Sequence, residues 1–204
     1  MTARPGNPDL AESIIRATAD IVEERGPEGV TMRAVADRIG YSPTTIYLYF
    51  ENKDDLLRQT LIRAYELMTS AIDDAGGTPQ ECLVARAEAY VQWAMNHPGI
   101  YRFMYQSEVL VPRNEEEWGE WVHGWDATRD LIAQGIAGGD MPARDDVAAA
   151  ATVHWAAVHG ISMLAISGRL VRPGLEASPA EIEERALHLA RTFVSMCFAE
   201  PQMA

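Results

Sequence analysis

The chain has 204 residues, of which 48% are hydrophobic and 23% are charged. This length suits one or two domains and suffices to bury a sizeable hydrophobic core. Cys82 and Cys197 are the two cysteines. The composition therefore excludes a disulfide-rich secreted scaffold and fits a reducing cytoplasm. We also expect no N-terminal signal peptide, because residues 1–13 lack an apolar run.

The net charge of −13 is unusual for a protein that binds nucleic acid, but the charge is unevenly distributed. Residues 1–58 hold 7 basic and 10 acidic residues, whereas residues 59–204 hold 10 basic and 20 acidic residues. Most of the acidic excess therefore lies outside the N-terminal segment. An acidic body opposes sequence-independent binding to DNA, because the phosphates repel it. Simple solubility explains the same charge equally well.

The apolar residues recur at helical spacing, with no alternation typical of strands. Helix starts are marked by capping residues before proline, as at Ser42-Pro43, and by capping boxes such as Thr78 with Glu81. Glycines mark the helix ends. The sequence predicts an all-α protein of about nine helices, at residues 9–25, 31–39, 43–49, 53–75, 79–97, 100–107, 115–137, 144–167 and 178–199.

The most hydrophobic stretch runs from Val147 to Ile166 and is long enough to cross a membrane. Polar residues interrupt it, among them His154 and Ser162. These interruptions favour a buried helix over a membrane span, so we expect no membrane partner.

Residues 31–50 predict two short helices joined by a tight turn, which is the pattern of a helix-turn-helix. Gly40 supplies the turn, and Ser42 begins the second helix. Ile46 and Phe50 are expected to face the core of the domain.

The second helix carries side chains that suit a DNA groove. Thr44 and Thr45 are short, and their hydroxyls and methyls can contact base edges. Tyr47 and Tyr49 can donate hydrogen bonds to phosphates, and Lys53 can meet the backbone as a point charge. Taken singly, these threonines are helix-start residues, these tyrosines are packing residues and this lysine is a solvated surface residue. Only their joint arrangement indicates DNA binding.

The segment from Thr31 to Leu57 reads TMRAVADRIGYSPTTIYLYFENKDDLL and resembles the DNA-binding domain of the TetR family of bacterial regulators. The resemblance extends over residues 9–57 and rests on the core G-x-S-x-x-T-I-Y-x-Y-F-x-N-K-x-x-L. It implies a three-helix DNA-binding domain at residues 1–52 and a larger ligand-binding and dimerisation domain at residues 53–204. The implied partner is a double-stranded DNA operator, contacted by Thr31, Arg33, Tyr41, Ser42, Pro43, Thr44, Thr45, Tyr47, Tyr49 and Lys53.

One departure from the family pattern concerns base reading. The second helix has no Arg, Asn or Gln, the side chains best suited to bidentate contacts with bases. Base discrimination is therefore expected to depend more on threonine, on van der Waals contact and on DNA shape.

A shorter pattern, Trp155-x-x-x-His159-Gly160, resembles a TetR-type C-terminal domain named for its Trp-His-Gly signature. Aromatic and sulfur side chains cluster between residues 93 and 163. Core packing explains any single one of them, but as a set some are expected to line an apolar cavity for a small hydrophobic or aromatic effector. The candidates are Trp93, Tyr101, Phe103, Met104, Trp121, Trp125, Trp155, His159 and Met163.

Helices 144–167 and 178–199 are the homodimer surface that the resemblance implies. Two helices from each subunit would form a four-helix interface with two-fold symmetry. Small residues allow the helices to approach closely, namely Ala148, Ala149, Ala156, Ala157 and Gly160.

The sequence thus predicts a cytoplasmic, dimeric, ligand-responsive transcriptional regulator, a repressor that leaves a near-palindromic operator when its effector binds. A transcriptional activator stays open as an alternative. An enzyme is disfavoured, because the sequence shows no nucleophile elbow, phosphate loop, metal-ligand spacing or acid–base pair. We therefore expect no catalytic residues, no metal and no cofactor.

Overall fold

The computed structural model describes residues 8–72, 76–107, 123–171 and 176–198. Within these ranges the chain forms nine α-helices and no strand, which confirms the all-α prediction. A short 3-10 helix, Pro27–Gly29, lies between the first and second helices. The helices are α1 (Pro8–Arg25), α2 (Met32–Ile39), α3 (Pro43–Ile46), α4 (Lys53–Ile72), α5 (Pro79–Asn96), α6 (Pro98–Gln106), α7 (His123–Gly138), α8 (Val147–Ile166) and α9 (Pro179–Phe198).

The predicted capping boxes start α5 and α9. The Thr78 hydroxyl accepts from the backbone N–H of Glu81 at 3.3 Å, and the Glu81 carboxylate accepts from the N–H of Thr78 at 2.9 Å. Ser178 and Glu181 repeat this pair of bonds at 3.3 and 2.7 Å. The backbone hydrogen bonds hold the pKa of each glutamate below its usual value.

Several helix bounds differ from the predicted ones. The helix expected from residue 144 begins at Val147, because the Asp146 carboxylate accepts from the N–H of Ala149 at 2.9 Å and so caps it. The helix expected at 43–49 ends at Ile46. Residues 73–75 and 115–122, which the sequence places in helices, lie outside the described residues.

The chain divides into two compact units. Unit 1 contains the described residues up to Leu67 and those from His97 to Ser107, so it holds α1, α2, α3, most of α4 and all of α6. Arg38 of α2 donates to the Glu24 carboxylate of α1 at 2.7 Å and ties these helices together. The largest fully buried side chains of unit 1 are Ile14, Ile21, Val22, Val30, Val35, Ile46, Leu56, Leu61 and Tyr101.

Unit 2 contains Met68–Asn96 and the described residues from 123 onward. Here α5 packs against α7, α8 and α9. Gln92 of α5 donates to Glu183 of α9 at 3.1 Å, and Arg191 of α9 pairs with Glu88 of α5 at 3.0 Å. The predicted domain boundary between residues 52 and 53 differs from the division between the two units, because α4 is one continuous helix that begins in unit 1 and ends in unit 2. The functional division into a DNA-binding and a ligand-binding domain stays a prediction.

Helix α8 is apolar on all sides but buried along one face only. The residues that face the interior of unit 2 are Ala151, His154, Val158, Ser162 and Ala165. By length and composition α8 passes as a membrane-spanning helix, and only 28% of its most apolar window is buried. The expectation of a buried helix therefore holds for one face, and the opposite face is exposed.

Candidate nucleic-acid interface

Helices α2 and α3 form the predicted helix-turn-helix within unit 1. The Thr31 hydroxyl accepts from the N–H of Ala34 at 3.0 Å and caps α2. Gly40 ends α2 with φ 74, in the left-handed region that a residue without a Cβ atom adopts most easily. The Ser42 hydroxyl accepts from the N–H of Thr45 at 3.3 Å and starts α3. A tight turn between two capped helices fixes the direction of α3 relative to α2.

Helical turns continue beyond α3. The N–H groups of Leu48 and Tyr49 donate to the carbonyls of Thr45 and Ile46 at 3.2 and 3.0 Å, and the N–H of Phe50 also reaches Ile46 at 3.1 Å. Residues 43–50 therefore keep one helical phase, although the regular helix is short. Side chains three and four residues apart lie on one side of this segment.

Because of this helical spacing, the side chains of residues 44–50 form three rows that differ in burial. Ile46 and Phe50 face the core, with exposed fractions of 0% and 5%. Thr45 and Tyr49 are half-buried at the flank. The third row faces outward and contains Thr44, Tyr47 and Leu48. We call this third row, together with Tyr41 and Ser42 of the turn, the reading face.

None of the ten predicted DNA-contacting residues is buried. Seven are exposed, namely Thr31, Arg33, Tyr41, Ser42, Pro43, Thr44 and Tyr47, and three are half-buried, namely Thr45, Tyr49 and Lys53. Their accessibility agrees with a role at DNA, and the contacts themselves stay predictions.

The side-chain surroundings of these residues differ. The Arg33 side chain is 85% exposed and lies 3.8 Å from the Asp37 carboxylate, a pair too exposed to hold it in place. The Thr45 hydroxyl is 3.0 Å from the Ser42 hydroxyl, so it also helps to close the turn. Lys53 lines a cavity of about 730 Å³ within unit 1.

Two hydrogen bonds between α1 and α6 lie beside this 730 Å³ cavity, which Glu23 and Gly99 help to line. The Glu23 carboxylate accepts from the N–H groups of Gly99 and Ile100, at 2.7 and 3.1 Å. These are N–H groups of the first turn of α6, which have no partner inside the helix. A carboxylate there also interacts favourably with the helix dipole. Glu23 therefore fixes the start of α6 to α1 within unit 1.

The predicted effector residues are distributed over both units. Tyr101, Phe103 and Met104 lie on α6 and are buried in unit 1, where Phe103 lines the 730 Å³ cavity. In unit 2, Trp93, Trp125, His159 and Met163 are half-buried, and Trp155 is 43% exposed. Trp121 lies outside the described residues. The structure thus does not gather this set around one described cavity, and their role in ligand binding stays a prediction.

A smaller cavity of about 270 Å³ lies within unit 2, between the end of α4, α5 and α7. It is lined by Cys82, Arg86 and Gln134, among others, and by none of the described predicted effector residues. The Arg86 side chain is buried and donates to the carbonyl of Gly124 at 3.2 Å.

Next to Arg86 lies a buried histidine. Burial, with Arg86 nearby, lowers the pKa of His154 to about 4, so this imidazole is neutral at physiological pH. Its ring packs against those of Phe193 and Phe198, each at 5.9 Å.

The sequence did not single out two residues that the structure makes prominent in unit 1, Leu48 and Glu23. Leu48 is 74% exposed on the reading face and lies between Tyr47 and Tyr49, both of which are predicted DNA contacts. The predicted helix at residues 43–49 already placed Leu48 four residues after Thr44, but an apolar side chain was not counted among the candidates for DNA contact. Glu23 gave no local signal, because its partners are 76 and 77 residues away.

Comparison with known proteins decides the family. Residues 14–60 match the model described as "Bacterial regulatory proteins, tetR family". Residues 83–190, more than half of the chain, match "Tetracyclin repressor-like, C-terminal domain". The chain belongs to the TetR family. The resemblance drawn from the helix-turn-helix is thereby confirmed, and the C-terminal part of this TetR-family protein is confirmed as a TetR-type C-terminal domain.

The curated relatives of this TetR-family chain are transcriptional regulators. The HTH-type transcriptional regulator Rv1816 of Mycobacterium tuberculosis is 31% identical over 134 residues, which are 61% of this chain and 56% of the relative. The HTH-type transcriptional repressor KstR of Mycolicibacterium smegmatis is 41% identical over 73 residues, or 34% of this chain and 36% of KstR. The match thus spans little more than half the length of the first relative. The family to which the chain belongs is one of bacterial regulatory proteins, in agreement with the prediction that the chain is not an enzyme.

Solved structures share the fold. A protein of unknown function from Rhodococcus sp. RHA1 aligns with a TM-score of 0.77 at 22% sequence identity, covering 98% of this chain and 100% of that one. A putative TetR-family regulator from Rhodococcus sp. aligns with a TM-score of 0.68 at 17% identity, covering 93% and 100%. The TetR-type architecture therefore extends over nearly the whole chain.

Proposed function

We propose that this TetR-family regulator is a dimeric, cytoplasmic repressor that leaves a near-palindromic operator when a small hydrophobic or aromatic effector binds. The observation that carries the proposal is the reading face. Tyr41 and Tyr47 are 50% and 56% exposed on a helix-turn-helix whose inner row, Ile46 and Phe50, is firmly buried. Such a face is free to enter a major groove.

A second copy of the chain is the proposed dimer partner. Along α8, an outward row recurs at spacings of four and three residues, and its members are Ala149, Val153, Ala156, Gly160 and Leu164. Val153 is 57% exposed and Leu164 is 44% exposed. Small residues between larger apolar ones allow two helices to approach closely, and a two-fold axis would place this row against itself. Water contact with so apolar a row is costly, which favours its burial in a dimer.

Two-fold symmetry would give the operator its form. Two reading faces related by a dimer axis enter successive major grooves about 34–36 Å apart. An operator recognised in this way is near-palindromic, because each half-site meets the same side chains.

The proposed effector binds unit 2, where several aromatic side chains are partly accessible. The Trp125 indole N–H donates to the Thr152 hydroxyl at 3.2 Å, and the Arg129 guanidinium lies 5.5 Å from the Trp125 ring centre. These contacts fix an aromatic surface that suits a flat or apolar ligand.

Two covalent connections would carry the effector signal between the units. Helix α4 begins in unit 1 and ends in unit 2, and α6 of unit 1 directly follows α5 of unit 2 in the chain. The bonds from Gly99 and Ile100 to Glu23 tie α6 to α1. An effector that favours a different arrangement of α5 would act on the reading face through these elements, with a coupling of about 1–3 kcal/mol.

The test begins with selection of bound duplexes from a random DNA library. We expect one near-palindromic site to be enriched, and Tyr47→Ala to lose most of its affinity for that site in gel-shift assays while size-exclusion chromatography still shows a dimer. A ligand screen for release of the enriched duplex then identifies the effector. Undiminished binding by Tyr47→Ala would contradict the proposed interface.

Repression and activation are separated by a reporter gene placed under the enriched site. Deletion of the regulator raises expression if it is a repressor and lowers expression if it is an activator. The similarity to KstR, which is named a repressor, favours the first outcome.

A further inference from the structure

We propose that Leu48 reads bases, by packing its side chain against the C5-methyl group of thymine in the major groove. The inference rests on the operator binding proposed above and adds a residue and a chemical target to it. Three observations support it: the phase of the segment that carries Leu48, the exposure of its side chain, and the chemistry of its neighbours.

The helical phase places Leu48 directly beside the residues expected to meet DNA. Leu48 is four residues after Thr44, so both side chains lie on the same side of the segment. Tyr47, adjacent in the outward row, is 56% exposed. The buried pair, Ile46 and Phe50, holds the opposite side of the segment in the core of unit 1. Any groove that accommodates Thr44 and Tyr47 therefore also meets Leu48.

The exposure of Leu48 is large for a leucine in a well-packed unit. Leu48 is 74% exposed, more than Tyr41 or Tyr47, and all three residues lie on the reading face. Single exposed leucines are common on protein surfaces, but a cluster of three large apolar side chains indicates a binding surface. The position of this cluster on the helix-turn-helix selects DNA as its partner.

The neighbours of Leu48 limit the kinds of base contact that are available. Residues 41–50 contain no charged side chain and no side-chain amide, so hydroxyl groups are their only polar side-chain groups. In the major groove, the apolar feature that a base pair presents is the C5-methyl group of thymine. Leu48 and the γ-methyl of Thr44 form an apolar pair that complements it. Thymine positions should therefore contribute strongly to sequence preference.

The experiment uses the full-length protein and the duplex enriched from the random library. Each thymine is replaced in turn by deoxyuridine, which keeps the base pair and removes only the C5-methyl group. We expect about a three- to fivefold loss of affinity at one thymine of each half-site, the effect of losing one buried methyl group. Leu48→Ala should lose most of the preference for thymine over deoxyuridine at those positions, and Leu48→Met should restore it.

Leu67→Ala is the matched control, because Leu67 is also an exposed leucine of unit 1, at 49%. It should keep the wild-type response to every deoxyuridine. Uniform wild-type affinity for all substituted duplexes, or an unchanged thymine preference in Leu48→Ala, would overturn the role of Leu48 while leaving operator binding intact. Failure of the library to yield any enriched duplex would instead overturn operator binding, and the reading of thymine with it.

Discussion

A Cβ atom on Gly99 would lie 2.7 Å from the Cα atom of Glu23. Helices α1 and α6 therefore meet in unit 1 at a distance that only glycine permits. The close approach lets the Glu23 carboxylate reach the N–H groups of Gly99 and Ile100. The start of α6 is therefore held against α1 by close backbone packing at Gly99 and by hydrogen bonds to the Glu23 carboxylate.

Replacing Gly99 by alanine should disturb this joint. The added Cβ would also lie 2.7 Å from Glu23 Oε2 and 3.0 Å from the carbonyl oxygen of Val22, so α6 has to shift. We expect Gly99→Ala to lower the free energy of unfolding by about 1–3 kcal/mol, as overpacking does. Urea unfolding measures this change. Gly76→Ala is the control, because a Cβ there meets no atom within 4 Å, and an equal effect of both substitutions would contradict the explanation.

The charge of Glu23 should matter separately from its shape. In Glu23→Gln one of the two acceptor oxygens becomes an NH₂ donor that faces a backbone N–H. We expect a loss of about 1–2 kcal/mol in the free energy of unfolding, since a charge-assisted bond is broken. Glu28 also lines the 730 Å³ cavity beside Glu23, but it is exposed, so Glu28→Gln should change the free energy of unfolding little. If Glu23→Gln unfolds at the same urea midpoint as the wild type, Glu23 does not stabilise α6.

His154 should make stability depend on pH. Its pKa is about 4 in the folded chain against 6.5 for an ordinary histidine, mainly because of burial. Between these two values the unfolded chain binds the additional proton, so stability falls as the pH falls from 6.5 to 4. The shift corresponds to about 3 kcal/mol over this range. Urea unfolding at fixed protein concentration, at several pH values from 7 to 4.5, measures it.

The variant His154→Phe isolates this contribution. Phenylalanine fits an aromatic site between Phe193 and Phe198 and cannot take up a proton. Its stability should vary less with pH than that of the wild type. Part of the pH dependence that remains should come from His159, because burial lowers the pKa of this histidine as well. His188→Gln, at an exposed position, should keep the full wild-type slope; an unchanged slope in His154→Phe would show that another group is responsible.

A charge on the outward row of α8 should separate the proposed dimer. Val153→Glu would place a carboxylate in an apolar interface, at a cost of about 3 kcal/mol or more, which weakens association more than a hundredfold. Light scattering after size exclusion should show a monomer, and operator affinity should fall because one half-site is lost. Leu48→Glu is the reciprocal control: it should abolish operator binding and remain dimeric. A dimeric Val153→Glu would place the interface elsewhere.

The features that sequence predicted best depend on neighbouring residues. Thr31, Ser42 and Ser178 cap helices because a hydroxyl reaches an N–H three residues along, and this spacing is visible in the sequence. The buried pair of Ile46 and Phe50 followed from the same local periodicity.

The features that sequence did not predict depend on distant parts of the fold. Glu23 and Gly99 meet across 76 residues, and no local pattern announces their contact. The aromatic residues between 93 and 163 look alike in sequence, yet Tyr101 is buried in unit 1 and Trp155 is 43% exposed in unit 2. Packing between helices decides these environments, and composition does not record it.

The uncharged segment from Tyr41 to Phe50 has a consequence for how the protein finds its site on a chromosome. Proteins that slide along DNA are held on it by Lys and Arg side chains, which displace the counterions condensed on the phosphates whatever the base sequence. With no cation in this segment and a net charge of −13, the protein should spend little time on random DNA and should locate its proposed operator mainly through encounters from solution. Few cations, among them Arg33 and Lys53, would then meet phosphates at the proposed operator, so its residence on a promoter should weaken only modestly as intracellular ionic strength rises.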